Sequence, residues 1–355
     1  MERARLRLDL DVTLPLRHME AYETTTTWPA MAQRVRDAKS VLVLTHRKPD
    51  GDAIGSCLGV ARALPQSVHI HLVGPIGRAV QSLLRDTDQY EITDADPAGE
   101  PDLIMVLDTG AWVQVGPVSD WLRARRDRVV GIDHHPTGND IAPERIVDPS
   151  MASATMMVLR LLDELDIDPS NCDGVAEALF AGLATDTGWF RHSNADAKAF
   201  EMAGRMLAAG VDRDQLYALF EENASAGRLA LTSRALQSME LVNDGRVAIM
   251  MLSAEDFQQT GALRSELDGL VNQPLSIQEV IGSFLLYTED DGATKVSLRS
   301  KPPLANRDTI DVSRVAGLLG GGGHVRASGA RVQADLAAAR KKLLEAIEEI
   351  SRTDG

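Results

Sequence analysis

Short runs of consecutive apolar residues recur through the first half of the chain: Val41-Leu42-Val43-Leu44, Leu103-Ile104-Met105-Val106-Leu107 and Val129-Val130-Gly131-Ile132, with residues 68–73 as a further run. Stretches long enough for helices separate them. A strand that is apolar on both faces must be covered on both faces, so the pattern predicts a mostly parallel sheet flanked by helices, an α/β domain. Residues 53–64 carry Ile54, Leu58 and Ala61 at helical spacing and supply the first crossover, and Arg145-Ile146-Val147 reads as a shorter last strand.

The residues just beyond these strands point to chemistry. His46 comes after the first and opens His46-x-x-x-Asp50-Gly51-Asp52, Asp108 comes after another, and Asp133-His134-His135 closes a third. In parallel sheets ligands bind beyond the carboxyl ends of the strands. A helix over residues 175–185 ends in Asp186-Thr187-Gly188, where the glycine closes the helix and leaves the carboxylate at its tip. Each cluster alone has a plain reading. Asp-Gly-Asp is a common turn, Asp108 a helix-capping acid, the histidine pair an exposed strand end, and Asp186 a solvated acid. Four such clusters converging on one sheet edge instead predict a site for two divalent metals and phosphoester hydrolysis. Oxygen ligands outnumber nitrogen and no thiolate is among them, which favours Mn²⁺ or Mg²⁺ over structural Zn²⁺, and the histidines tilt the choice to Mn²⁺.

Composition bounds the substrate and the compartment. A chain of 355 residues, 44% hydrophobic and 25% charged, has room for about two domains. A net charge of −15 excludes wrapping long duplex nucleic acid by charge alone. Cys57 and Cys172 lack metal-type spacing and read as reduced thiols, so the expected compartment is the cytosol. Residues 1–28 read as a loose leader without a signal-peptide core, with Met19 or Met31 as alternative starts, and no run reaches membrane-spanning length. Arg123, Arg125, Arg126 and Arg128 read as a solvated face, and Trp112 and Trp121 as packing residues.

The order and spacing of His46-Arg47-Lys48-Pro49-Asp50-Gly51-Asp52, Asp108, Asp133-His134-His135 and Asp186 resemble the DHH phosphoesterase family. The resemblance implies that His46, Asp50 and Asp108 hold one metal, and Asp52, Asp108, His134 and Asp186 the other, with Asp108 bridging. It leaves His135 to contact the scissile phosphate and Asp133 to orient the histidines.

The second half narrows the substrate. Residues 29–190 form the metal-binding domain of this reading, 191–237 a helical linker, and 238–351 a smaller α+β domain. Asp244-Gly245 and Asp291-Gly292 sit between strand-like runs and mark hairpins. Gly320-Gly321-Gly322-Gly323-His324 reads either as a flexible loop or as a cradle of backbone amides for an anion. With Ala327-Ser328-Gly329 it resembles the DHH-associated C-terminal domain, which implies that Arg299 is a substrate arginine. Arg191, just after Asp186, is a further candidate for substrate phosphate. Family II pyrophosphatases carry a different second domain, RecJ-type exonucleases add an oligonucleotide-binding barrel, and membrane-bound cyclic-dinucleotide enzymes carry spans and sensor domains. The resemblance therefore implies an enzyme for short RNA and 3′-phosphoadenosine 5′-phosphate (pAp), acting in a cleft between the two domains. A cyclic-dinucleotide phosphodiesterase, a single-strand exonuclease and a non-catalytic nucleotide-binding module are the alternatives. A homodimer is compatible with this reading.

Overall fold

The computed structural model describes residues 22–267, 269–303 and 309–353. The chain divides into two compact units, Met1–Glu222 and Asn223–Gly355. Most of the expected leader, residues 1–21, lies outside the described residues.

In the first unit, β1 (Ser40–Leu44), β2 (Ser67–Leu72), β3 (Tyr90–Ile92), β4 (Leu103–Leu107), β5 (Val129–Asp133) and β6 (Glu144–Val147) form a six-stranded sheet in the order 3-2-1-4-5-6. Every pairing is parallel. β3, a half-exposed edge strand, had no apolar run to announce it. Alternate residues of β4 feed two cores. Leu103, Met105 and Leu107 face the helical side with α1 (Trp28–Asp37), α2 (Gly51–Ala63), α6 (Ala154–Glu164) and α7 (Val175–Asp186). Ile104 and Val106 face Val115, Val118, Trp121 and Leu122 from the region of α4 (Trp112–Val115) and α5 (Ser119–Arg123). The short α3 (Arg78–Gln81) precedes β3.

Two expectations change. Residues 24–27 are not loose. Thr24 and Thr25 are hydrogen-bonded to β6 and its approach, and Thr27 caps α1 by accepting from the Ala30 amide. Nor do residues 191–237 form a separate linker. α8 (Ala197–Ala208) and α9 (Arg213–Glu221) bury Ala199, Met202, Met206 and Leu216 in the first unit's core. α10 (Ala226–Gln237) instead packs Leu231 and Ala235 with Met250 and Leu252 of the second unit. The hydrophobic faces of these helices each complete a core, so the segment is shared between the units.

The second unit contains a mixed six-stranded sheet in the order 11-12-10-9-8-7. Its strands are β7 (Glu240–Val242), β8 (Val247–Leu252), β9 (Gly282–Thr288), β10 (Thr294–Ser300), β11 (Gly322–His324) and β12 (Ala327–Val332). β8 and β9 are parallel and the other pairs antiparallel. Hairpins turn at Asp244-Gly245 and Asp291-Gly292 as expected, with Asn243, Asp244, Gly245 and Gly292 at positive φ. α11 (Ala254–Thr260) carries a capping box between Ser253 and Asp256. α12 (Val312–Leu318) and α13 (Leu336–Thr353) cover one face, burying Val315, Leu343 and Ile347. Among the described residues no helix is long and apolar enough to cross a membrane.

Candidate active site

The strand order reverses between β1 and β4, and a crevice opens at such a switch point. Leu44 pairs with Val106 there, and two residues farther along each strand stand His46 and Asp108. The remaining acids arrive from helices. α2 begins in the same loop as His46. α7 lies close against α2 because Gly51 and Gly55 face it, where a Cβ would overlap Thr185 and the Ala178 carbonyl. That close packing brings Asp186, the last residue of α7, to the cluster.

Two histidines set the geometry. The Nδ1–H of His46 donates to the Arg47 carbonyl (3.0 Å), so Nε2 is the nitrogen offered to the acids. It lies 3.5 Å from Asp108 Oδ2 and 3.9 Å from Asp50 Oδ1. The Nδ1–H of His134 donates to the Met151 carbonyl (3.3 Å). Its Nε2 lies 3.4 Å from Asp108 Oδ1, 3.7 Å from Asp52 Oδ2 and 3.9 Å from Asp186 Oδ2. Asp108 thus turns one oxygen to each imidazole. It is buried, and it holds the left-handed conformation (φ 60°), a strained choice for a side-chain-bearing residue and one concentrated at functional sites.

Asp50 and Asp52 do more than face the cluster. Asp50 caps α2, its Oδ1 accepting from the amides of Asp52 and Ala53 (3.1 Å each). Asp52 accepts from the first amides of α6, Ala154 (2.6 Å) and Thr155 (2.9 Å). The turn reading of Asp-Gly-Asp is thus met by the cap of α2, and a carboxylate that caps a helix keeps lone pairs for a further partner.

Three sets of side chains offer ligand atoms within 4.8 Å of one another: His46, Asp50 and Asp108; Asp52, His134 and Asp186; and Asp108, His134 and His135. Burial, then the charges of Asp108 and Asp186, push the Asp52 carboxyl well above the usual range. Burial and Asp108, partly offset by His134, raise Asp186 to about 6. Burial opposes charge on the imidazoles, yet Asp108 and Asp50 raise His46 to about 10, and Asp108, Asp52 and Asp186 do the same for His134. Carboxylates crowded around the two imidazoles favour positive charge in this pocket, whether on a proton or on a cation. Asp108 Oδ1 is buried without a hydrogen-bond partner. An oxygen-rich set with imidazole nitrogens and no thiolate fits divalent ions of hard to borderline character.

Asp133 does not orient both histidines. Its Oδ1 accepts from Nδ1 (2.7 Å) and the backbone amide (3.1 Å) of His135 alone, while the Met151 carbonyl holds His134. The Asp133 hydrogen bond raises the pKa of His135 in spite of burial. Tyr22, which carried no sequence signal, donates from its phenol to Asp133 Oδ2 (2.7 Å). Burial and the adjoining Asp133 charge hold that phenol protonated above its usual range.

The other expected substrate residues divide between the two units. Arg191 comes after a left-handed turn at Gly188, Trp189 and Phe190, and its Nε donates to the Gly188 carbonyl (2.8 Å). Arg299 lies on β10 of the second unit and donates from Nη1 to the Leu298 carbonyl (3.0 Å). The glycine run there is not simply a loop. Gly322–His324 form the exposed edge strand β11. A Cβ on Gly321 or Gly323 would overlap the backbone of β12. The basic run of the first unit is spent locally: Arg125 and Arg128 pair with Glu100, Arg126 with Asp140, and Arg123 lies over the Trp112 ring.

The comparisons with known proteins agree with this arrangement. The model of the DHH family, N-terminal domain, matches residues 40–183, and that of the DHHA1 domain matches residues 244–353. The bifunctional oligoribonuclease and PAP phosphatase NrnA of Thermus thermophilus is 29% identical over 317 residues, covering 88% of this chain and 90% of its own. The cyclic-di-AMP phosphodiesterase PdeA of Listeria monocytogenes is 25% identical over 336 residues, which are 90% of this chain and 49% of that protein. The crystal structure of an exopolyphosphatase-related protein from Bacteroides fragilis superposes with a TM-score of 0.81 at 26% identity, covering 91% of this chain and 95% of its own. With both domains matched in order, the chain belongs to the DHH family and is a phosphoester hydrolase.

Proposed function

We propose that this protein hydrolyses short oligoribonucleotides to mononucleotides and removes the 3′-phosphate of pAp, using two divalent ions. The observation that carries the chemistry is Asp108, one buried carboxylate with an oxygen toward each of two imidazoles. The substrate choice is supported by the Thermus relative, matched across both domains, whose stated activities are these two.

In this reading His46, Asp50 and Asp108 hold one ion, and Asp52, Asp108, His134 and Asp186 the other, with Mn²⁺ favoured and Mg²⁺ accepted. When bound, the pair would supply an activated water at neutral pH and neutralise charge on the phosphate. His135 stays outside both sets. With its Nδ1–H committed to Asp133, the ring keeps Nε2 for a phosphoryl oxygen, to which it would donate when protonated, and the Asp133 carboxylate favours that protonated form. Arg299, Arg191, His324 and the amides of Gly320, Gly321, Gly322 and Gly323 are the proposed contacts to substrate, since guanidinium groups and backbone N–H groups suit phosphate. The net charge of −15 favours short anionic substrates over long ones.

A second reading, hydrolysis of cyclic-di-AMP, is favoured by the Listeria relative. The test is a comparison of diribonucleotides, pAp and cyclic-di-AMP with purified protein and Mn²⁺. Mononucleotide release from the dinucleotide and phosphate release from pAp, both faster than ring opening, are expected. Turnover of neither overturns the proposal, and fastest turnover of cyclic-di-AMP establishes the second reading.

A further inference from the structure

The segment ahead of α1 is laid along β6 by paired hydroxyl contacts. Thr25 Oγ1 donates to the Pro143 carbonyl (2.7 Å) and accepts from the Arg145 amide (2.9 Å). Thr24 Oγ1 donates to the Val147 carbonyl (2.8 Å) and accepts from the Val147 amide (2.9 Å). The backbone amide of Thr25 donates to the Arg145 carbonyl (2.9 Å). The segment runs against the direction of β6, so its earlier residues reach the carboxyl end of the sheet, where the acids and histidines lie.

Tyr22 arrives there in a fitted slot. A Cβ on Gly110 or on Gly138 would overlap its ring or hydroxyl, and the Arg145 guanidinium lies 5.5 Å from the ring centroid. The phenol donates to Asp133 Oδ2, and the other oxygen of that carboxylate receives His135. Asp133 is 1% exposed, while the His135 side chain is 46% exposed. A buried carboxylate gripped on one oxygen could rotate and carry its imidazole with it. Gripped on both, it fixes the ring.

We infer that Tyr22 is a positioning residue for His135, acting through Asp133. The inference rests on the reading of His135 as the group that faces the phosphate. It assigns a role to a residue outside both family-matched segments.

The test uses the full chain with Mn²⁺ and whichever of bis(p-nitrophenyl) phosphate, a diribonucleotide or cyclic-di-AMP the wild type hydrolyses fastest. Tyr22→Phe keeps the ring and removes the hydroxyl. It should lower kcat about ten-fold, the usual order for loss of a group that orients a functional side chain, with KM and the Mn²⁺ concentration for half-maximal rate unchanged. In an Asp133→Ala background the same substitution should cost nothing further, because the hydroxyl then has no side-chain oxygen to hold. Wild-type kcat in Tyr22→Phe, or the same fold loss in both backgrounds, overturns the inference. If Tyr22→Phe does not fold, Gly138→Ala carries the test: the added methyl displaces the ring and should reproduce the kcat loss, and a wild-type rate there counts against Tyr22. Turnover of the synthetic diester without turnover of dinucleotide or pAp would sink the substrate proposal and still leave Tyr22 fully tested.

Discussion

Asp50 and Asp52 stand two residues apart on one turn and live in opposite surroundings. The Asp50 side chain is 62% exposed, and only its Oδ1 is occupied, by the cap of α2. The Asp52 side chain is 1% exposed, and both its oxygens are fixed by the opening amides of α6. A carboxylate at a helix N-terminus also gains from the dipole there. The two halves of the acidic cluster are thus built differently. The half with Asp52, His134 and Asp186 is a preset frame inside the protein, while the half with His46 and Asp50 lies at its mouth. Asp108 joins them.

Substitutions should rank accordingly. Asp108→Ala removes the carboxylate that faces both halves and, on the proposed reading, should lower turnover of diester and monoester together by about a thousand-fold. Retention of either activity would show that the halves work apart. Asp52→Ala should cost both activity and fold, because two amides buried behind it lose their acceptor. About 3 kcal/mol of stability in Mn²⁺-loaded protein, read by thermal or denaturant unfolding, is the expected scale. Asp50→Ala should cost about 1 kcal/mol, the worth of a helix cap. Equal losses from the two would erase the distinction.

Proton linkage gives a further test. His46 and His134 are held near pH 10 by their carboxylate neighbours, with burial opposing. A histidine whose pKa is raised on folding contributes stability that is fully present below its unfolded value of about 6.5 and is lost as pH rises through the folded value. Metal-free protein should therefore become less stable between pH 6.5 and pH 8, on the order of 2 kcal/mol per histidine. Stabilisation by Mn²⁺ should grow over the same interval, as the ion takes the place of the protons. Metal-free stability that is flat or rises with pH, in chelator-treated samples, would contradict this electrostatic picture.

Much of the first unit was legible because its physics is local. Strands buried on both faces write themselves as apolar runs, and the residue after such a run falls at the sheet edge whatever the loops do. His46, Asp108 and His134 could thus be brought together from sequence alone. Three features could not. β3 is a half-exposed edge strand with no apolar run. Met151, which holds His134 by its carbonyl, contributes backbone that any residue would supply. Tyr22 reaches Asp133 only through tertiary placement of the segment before α1. The second unit was legible in its hairpins, where Asp-Gly marks the turn. Its glycine run was harder, because close approach of β12 and a wish to cradle an anion both demand glycine.

The proposed two-metal chemistry turns on one Asp108 carboxylate being shared by two divalent ions. Anomalous scattering from crystals grown with Mn²⁺, collected at the manganese edge, reads that sharing without an activity assay. Two peaks per chain are expected, one beside each Asp108 oxygen, with His46 and Asp50 at one and Asp52, His134 and Asp186 at the other. A single peak, or two peaks neither of which is ligated by Asp108, would refute the shared carboxylate.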